Sequence, residues 1–354
     1  MHYTQVFNST VVTAELARGI AHMPKVEIHV HLEGATSEEL IFEMARRNHM
    51  VLPAATLPEW KAYYEFRDFN HFIDIYLISV ACMKTPQDFV DMVVDFMGRQ
   101  ASQNIQYSEV FFSAALHFGK LPANEILAAL VEGVRQGKEE YGVGIAFIPD
   151  LSREMSLENN LQEYVLEFAL QAKEQGIGVG LGIGGKEVGY PPELYRDIFA
   201  EARRQGLHVV AHGGETGGPH NVRGAVEALH AERIGHGISA LDDEALVRML
   251  GERQIPIEVS PQSNYCTRVV KREEPHPIRR MVDAGLYCTV NSDDPAMFST
   301  DLNNEYLTLA AQGFTFEELW QLDLNGLGAT FLSPTEKDAM KQAWERQIQA
   351  VRPT

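Results

Sequence analysis

The stretch VEIHVHLEGA, residues 26–35, sets two histidines one residue apart in an apolar run and follows them with a glutamate and a glycine. If this run is a strand, His29 and His31 share one side of it, because side chains i and i+2 of an extended chain point the same way. Two imidazoles on one face can converge on a metal ion, but a shell needs further ligands. HVVAHGGETGG offers His212 and Glu215, RIGHGIS offers His236, and NSDDPAMF offers Asp293 and Asp294. His29, His31, His212 and Asp293 together form a nitrogen-rich set completed by oxygen, which suits one zinc ion per chain with a position left for water. Bound zinc lowers the pKa of water to ~7, so the expected chemistry is hydrolysis at neutral pH. Glu215, three residues past His212, is free of the metal and placed to carry a proton, and His236 could hold or deprotonate the water. Each residue also has an ordinary reading: a lone histidine is usually a core or surface group, and Glu215 could be the acid of a helix N-terminus.

These groups are useful only if the fold brings them to one end of one sheet. Eight β-like runs recur, VEIHVHL, IQYSEVFFS, VGIAFIPDL, VGLGIGG, HVVAHGG, RIGHGIS, IPIEVSP and YCTVNSD, separated by helix-like stretches. In one of these, PPELYRDIFAEARRQG, Leu194, Ile198 and Phe199 are expected on one face, with Gly206 as the stop. The alternation implies a parallel sheet of the α/β class. Eight units without a GxGxxG turn suit a closed (β/α)8 TIM barrel, read as a single domain over residues 1–354, with additional helices at the termini and in the first connection. Barrels carry their chemistry at the C-terminal ends of the strands, where these histidines and carboxylates fall. The first connection, Gly34 to about Asn104, far exceeds the usual ~2–6 residues and must fold on itself. A capping box of Thr36 with Glu39 is expected to start a helix there. Phe66, Phe69, Phe72, Ile73 and Tyr76 recur at helical spacing, either as packing or as an apolar lid over the site.

Composition narrows the partners. A formal net charge of −19 without a basic cluster argues against nucleic acid and anionic membranes. The start of the chain lacks a leader pattern, and nowhere do 18 apolar residues run together. Three cysteines without CxxC spacing give neither a disulfide framework nor a thiolate metal site, and fit a cytoplasmic setting. His220 and His230 read as surface or helix residues, and His276, in EPHPIRR, as a loop residue before a helix.

Taken together and in order, PKVEIHVHLEG, HGGE, RIGHG, SPQSN and NSDDPAMFSTDLNNEY resemble the adenosine deaminase family of metal-dependent aminohydrolases from Pro24 to Tyr306. The resemblance implies zinc-assisted hydrolytic deamination of a 6-aminopurine. It gives His29, His31, His212 and Asp293 as zinc ligands, Glu215 as the acid that protonates purine N1, and His236 as the histidine beside the attacking water. The implied substrate contacts are His31, Glu33, Gly185 at N3 and Asp294 at N7. Adenosine is the default substrate. Glu33 stands where adenosine deaminases usually carry an aspartate that contacts the ribose 5′-hydroxyl, so free adenine or a 5′-modified nucleoside such as aminodeoxyfutalosine is the alternative, the latter with Arg268 as a partner for a carboxylate. Two further readings compete: a two-metal amidohydrolase bridged by a carboxylated Lys186, and a catalytically silent purine-binding barrel.

Overall fold

The alternation in VEIHVH is realised in full. Val26, Ile28 and Val30 are buried outward against helices, while His29 faces the barrel interior, packed on the rings of Phe111, His212 and His236. The computed structural model describes residues 12–353. The opening segment read for a leader, residues 1–11, lies outside the described residues. Eight strands, Lys25–His31 (β1), Ile105–Phe112 (β2), Gly144–Ser152 (β3), Gly180–Gly184 (β4), His208–Gly213 (β5), Arg233–His236 (β6), Ile257–Val259 (β7) and Cys288–Val290 (β8), pair in parallel in chain order. Each of the eight stretches read as a strand overlaps one, β1 and β3 running one residue beyond theirs, and helices intervene throughout, so the fold is the expected (β/α)8 barrel.

The seam between β8 and β1 is closed differently from the other strand pairs. The Asn291 Oδ1 accepts from the amides of Ile28 and His29 at 3.0 and 3.1 Å. Two residues later the His31 amide donates to the Asp293 carbonyl at 2.8 Å, and the Asp293 amide donates to the His29 carbonyl at 3.2 Å. The segment after β8 thus completes the barrel, and in doing so it ties the backbone of Asp293 to both histidines of β1.

Inside the barrel, Phe111, Ile148 and Val210 form a small apolar layer. Arg233 of β6 is buried beside it and pairs with Glu109 of β2 and Glu258 of β7, so the interior is partly ionic. Unpaired charges there would cost several kcal/mol each, and the mutual pairing offsets that cost.

The first connection folds as helices Glu38–Arg47, Leu57–Tyr64, Phe69–Cys82 and Pro86–Ser102, which bury a second apolar core. Its first long helix is capped one residue later than expected: Ser37 is the N-cap and accepts from the Leu40 amide, whereas the Thr36 hydroxyl turns back to the Leu32 carbonyl. The short turn Leu32–Ala35 engages Thr36 first, which moves the helix start by one. The aromatic run packs on both sides of its helix. Ile75 and Val80 pack inward, while Phe72 stacks on Phe298, and Phe66 meets the same ring edge-on, over the loop that follows Asp294. Phe69 and Ile73 are partly exposed.

Elsewhere, Leu194 is exposed rather than on the buried face of its helix. It lies in a 3₁₀ turn, Pro192–Tyr195, whose tighter winding buries Tyr195 in its place ahead of the helix Arg196–Arg204. Terminal helices Ala14–His22 and Pro334–Ile348 complete the expected additions. No helix among the described residues is long and apolar enough to cross a membrane. All three cysteines are buried and in the thiol form.

Candidate metal centre

Four side chains, His29 and His31 of β1, His212 of β5 and Asp293 of the barrel seam, meet at the C-terminal mouth. His31 Nε2 lies 3.1 Å from His212 Nε2, and Asp293 Oδ1 lies 3.4 Å from both His29 Nε2 and His31 Nε2. Ligands held about 2.0–2.1 Å from one tetrahedral ion stand about 3.3 Å apart, so these separations fit a common ion. His236 is nearby but looser: its Nε2 is 4.0 Å from Asp293 Oδ2 and 3.8 Å from Glu215 Oε2. Donor atoms of His29, His212, His236 and Asp293 all fall within 4.8 Å of one another, so a second set with His236 in place of His31 is geometrically conceivable. The shorter distances favour His31.

Hydrogen bonds from behind fix which ring nitrogens are available. The His212 Nδ1 can only donate to the Ile183 carbonyl, at 2.9 Å, which leaves Nε2 with its lone pair toward the cluster. The His29 Nδ1 donates to Glu258 Oε2 at 2.7 Å, and its Nε2 is buried with no hydrogen-bond partner. A histidine braced by a carboxylate and presenting a bare nitrogen is the arrangement metal ligands use. The residues present therefore fit a metal ion. Glu258→Gln, which keeps the shape and removes the charge, should weaken metal affinity by ~10–100-fold in competition with a chelator. Unchanged affinity would dismiss the bracing role.

The electrostatics match a site built around positive charge. Burial opposes a charged imidazole, yet the Asp293 carboxylate 3.4 Å away and the hydrogen bond to Glu258 overcome it and raise His29 to about 9. The same competition, won by Asp293, raises His31 to about 10. His212, desolvated and beside His29 and His31, is pushed well below its ordinary value. Burial raises the next carboxyl, Asp294, to about 8, helped by the Asp293 carboxylate. Its Oδ1 is buried without a partner and sits where a side chain on residue 34 would have to be: a Cβ on Gly34 would lie 1.7 Å from it. Glycine in HLEG is a requirement of that close approach. Gly235 serves His29 in the same way, since a Cβ there would lie 2.5 Å from the His29 ring.

His236 and Asp293 both sit at positive φ, 63° and 66°, where a residue with a Cβ is strained. Both side chains enter the mouth, His236 from the last residue of β6 and Asp293 from just past β8. A relay from the interior then sets the proton on His236. The Ile278 amide donates to His276 Nδ1 at 3.2 Å, so His276 Nε2 carries its proton and donates to Asn264 Oδ1 at 3.1 Å. Asn264 Nδ2 in turn donates to His236 Nδ1 at 3.3 Å, leaving the Nε2–H of His236 pointed at the cluster.

His276 lies in the loop before the helix Ile278–Asp283, as expected, and packs into the interior. It is buried, and burial lowers it to about 3 from 6.5. The unfolded chain binds a proton below pH 6.5 that the folded chain refuses, so this contribution to stability is complete above pH 6.5 and is lost as pH falls toward 3. His276→Gln should flatten the acid limb of the stability curve by about 2–3 kcal/mol between pH 6.5 and 4.5, at ~1.4 kcal/mol per unit. Urea melts across that range measure it; an unchanged slope would refute the assignment.

The open side of the centre is identified by exposure. The His31 side chain is 12% exposed and Glu215 is 21% exposed, whereas His29 and His236 are 0 and 1%. Burial raises the Glu215 carboxyl, with Asp293 adding to the shift and His236 opposing it, the direction that favours the protonated form a general acid needs. Glu33 is fully buried; its Oε1 is engaged by the Ser113 amide and by His117 Nε2, both at 3.1 Å, while Oε2 has no partner. Ser113 also donates its hydroxyl to Asp150 Oδ1 at 2.9 Å, and burial raises Asp150 to about 6. Gly185, at φ +83°, lies just beyond β4.

Lys186 is exposed past the end of β4, its ammonium 5.8 Å from the Tyr190 ring centroid, and so turns away from the histidines that a two-metal bridge would need it to meet. Arg268, His220 and His230 are exposed. Sequence reasoning missed Glu258, Asn264, Asp150 and Asn291. Glu258 carried a signal, a lone carboxylate inside the apolar run IPIEV, which a parallel strand tolerates only when that group is paired.

A family model described as adenosine deaminase matches residues 24–345. The adenine deaminase of Geotalea uraniireducens is 37% identical over 332 residues, covering 93% of this chain and 91% of that protein. Among solved structures, the adenine deaminase of Arthrobacter aurescens superposes with a TM-score of 0.84 at 30% identity, covering 93% of this chain and 98% of the other. An amidohydrolase from Burkholderia ambifaria, solved with bound Zn, gives 0.86 at 27% identity over 96% of this chain and 94% of its own. With the mouth of the barrel assembled as described and these matches spanning nearly its whole length, the chain belongs to the adenosine deaminase family of hydrolytic aminohydrolases.

Proposed function

We propose that this protein deaminates free adenine by metal-assisted hydrolysis, giving hypoxanthine and ammonia. The observation that carries the reading is the meeting of His29, His31, His212 and Asp293 at ligand-to-ligand spacings, with the most exposed acid of the site, Glu215, beside them. These four residues would hold the ion, and their donor types point to zinc. Bound there, zinc supplies the Lewis acidity that makes water nucleophilic at neutral pH.

The chain's own groups do the rest. Glu215 gives a proton to N1, which leaves C6 electron-poor. His236, with its proton on Nε2, donates to the attacking water and aims it at C6, so it acts as a holder rather than as a base. Asp294, kept neutral, donates to N7, and the backbone at Gly185 approaches N3. Water adds at C6 and passes one proton to the Glu215 carboxylate; the remaining O–H proton goes to the amino nitrogen as the C6–N bond breaks, C6 becomes a carbonyl and ammonia leaves.

Adenosine was the expected default, and the free base replaces it for two reasons. Several relatives of 33–37% identity are named adenine deaminase. In addition, Glu33 is fully buried, and one of its two oxygens, Oε1, is already engaged by Ser113 and His117. What remains buried there, Glu33 Oε2 and the Asp150 carboxyl, suits the imidazole N–H that a free purine has and a nucleoside lacks. Arg268, the candidate partner for a substrate carboxylate, lies on the surface.

Adenine, adenosine and aminodeoxyfutalosine should be compared by kcat/KM for ammonia release. Adenine should exceed the nucleosides by ~10²-fold or more, since a site built for an N–H rejects an analogue without it. A preference for adenosine would restore the nucleoside reading, and no ammonia from any of them with the site fully metallated would favour the silent barrel. The partner we infer is thus a small purine, and the setting a reducing cytoplasm that keeps Cys82, Cys266 and Cys288 as thiols.

A further inference from the structure

The loop that carries Glu215 has an unusual means of support. Leaving β5, the chain turns through Gly214 and Gly218 at φ +75° and +80°, which directs four successive amides inward. All four are satisfied by one side chain. Glu187 Oε2 accepts from the amides of Gly214 at 2.8 Å and Gly217 at 3.2 Å, and Glu187 Oε1 accepts from those of Glu215 at 2.8 Å and Thr216 at 3.1 Å. Glu187 comes from the loop after β4, is 2% exposed, and is separated from these amides by 27 to 30 residues of chain. Consecutive amides wound into a concave turn make a cradle for an anion, and here the anion belongs to the protein.

From this arrangement the geometry points to Glu187 as the positioning residue of the deamination, the group that fixes where the Glu215 carboxyl stands relative to the base. This rests on the reading above in which Glu215 passes the proton to N1. Glu187 does not touch the metal cluster or the substrate; it acts by holding the backbone from which Glu215 projects. The fit is close: a Cβ on Gly217 would lie 2.6 Å from Glu187 Oε2, so the loop and the carboxylate are packed without slack. A catalytic group displaced by about 1 Å loses on the order of 10²-fold in rate, whereas ground-state binding is much less sensitive.

The test is a double-mutant cycle in the metal-loaded enzyme with adenine as substrate, using Glu187→Gln and Glu215→Gln. A glutamine keeps the volume but offers one acceptor oxygen and turns an NH₂ toward two amides. We expect Glu187→Gln to retain its metal, to lower kcat by about 10–100-fold with KM within about threefold, and to add less than about twofold when Glu215 is already glutamine. Amide exchange at residues 214–217, read without turnover, should quicken by about tenfold or more in the metal-free and loaded protein. An equal loss in both backgrounds, wild-type kcat, or activity lost in step with metal would overturn the inference. If Glu187→Gln does not fold, Glu187→Asp, which keeps the charge and withdraws it by one methylene, takes its place in the cycle. Failure of both to fold would assign Glu187 to the stability of the barrel and end the proposal. Full activity in Glu215→Gln alone would be a failure of the functional reading itself, and is visible in that single variant before Glu187 is considered.

Discussion

Glu215→Gln should leave a folded protein with its metal and lower kcat on adenine by ~10²–10⁴-fold, the range for removing a general acid. The substitution conserves size at a side chain that is not among the four ligands, so the cluster of His29, His31, His212 and Asp293 should keep its separations. A glutamine can still approach N1, but it donates from nitrogen and cannot release a proton, so the base would bind with little change in KM while the step that needs N1 protonated stalls. Burial raises the carboxyl it replaces, so no loss of stability is expected from removing it. Metal content by elemental analysis and steady-state kinetics decide the point together. A kcat within tenfold of wild type, with metal present, would remove the proton-transfer role.

Asp293→Asn should lose both metal and turnover. Asp293 supplies the one carboxylate of the proposed shell, its Oδ1 3.4 Å from the Nε2 of both β1 histidines. It is also the principal anion holding His29 and His31 at their raised values, so its neutralisation removes charge from every remaining ligand's surroundings. Loss of the ion withdraws several kcal/mol of transition-state stabilisation, so activity should fall on the order of 10³-fold or more. The fold should survive. It is the backbone of Asp293 that closes the barrel seam against His29 and His31, and asparagine tolerates its φ of +66° better than most residues. Asp293→Ala should differ only in stability, by about 1 kcal/mol from that backbone strain. Retention of tightly bound metal in Asp293→Asn would exclude this carboxylate from the shell.

The difference between these two variants separates two kinds of function at one mouth. In the proposed mechanism Glu215 works on the substrate and is carried by a loop, so its position depends on distant support. Asp293 would work on the ion and is carried by the barrel seam. Loops hold chemistry that must face a ligand, and rigid strand ends hold chemistry that must not move.

The periodicity of the chain was enough to place the eight strands. VEIHVH alternates because one face of β1 packs on helices and the other lines a polar interior, and that alternation is a property of local sequence. The same periodicity identified His29 and His31 as neighbours on one face. With the strand ends known, His212, His236, Glu215 and Asp293 were legible as groups at one mouth, since parallel strands with intervening helices put their C-terminal ends on the same side. Local sequence also erred in small ways where neighbours compete, as at Thr36 and Leu194, where an adjoining short turn captured the capping group or rotated the face.

What the sequence could not carry were relations between side chains remote along the chain. Glu258 lies 229 residues from His29, His276 reaches His236 only through Asn264, and Glu187 finds four amides in another loop. No periodicity encodes such pairings, because each depends on how the strands are staggered and on which rotamer packing permits. Residue types and spacing therefore determined the fold and the class of chemistry. The tautomers, the raised carboxyls and the braces that ready those groups for work were decided by tertiary structure, where burial makes a hydrogen bond or a neighbouring charge strong enough to matter.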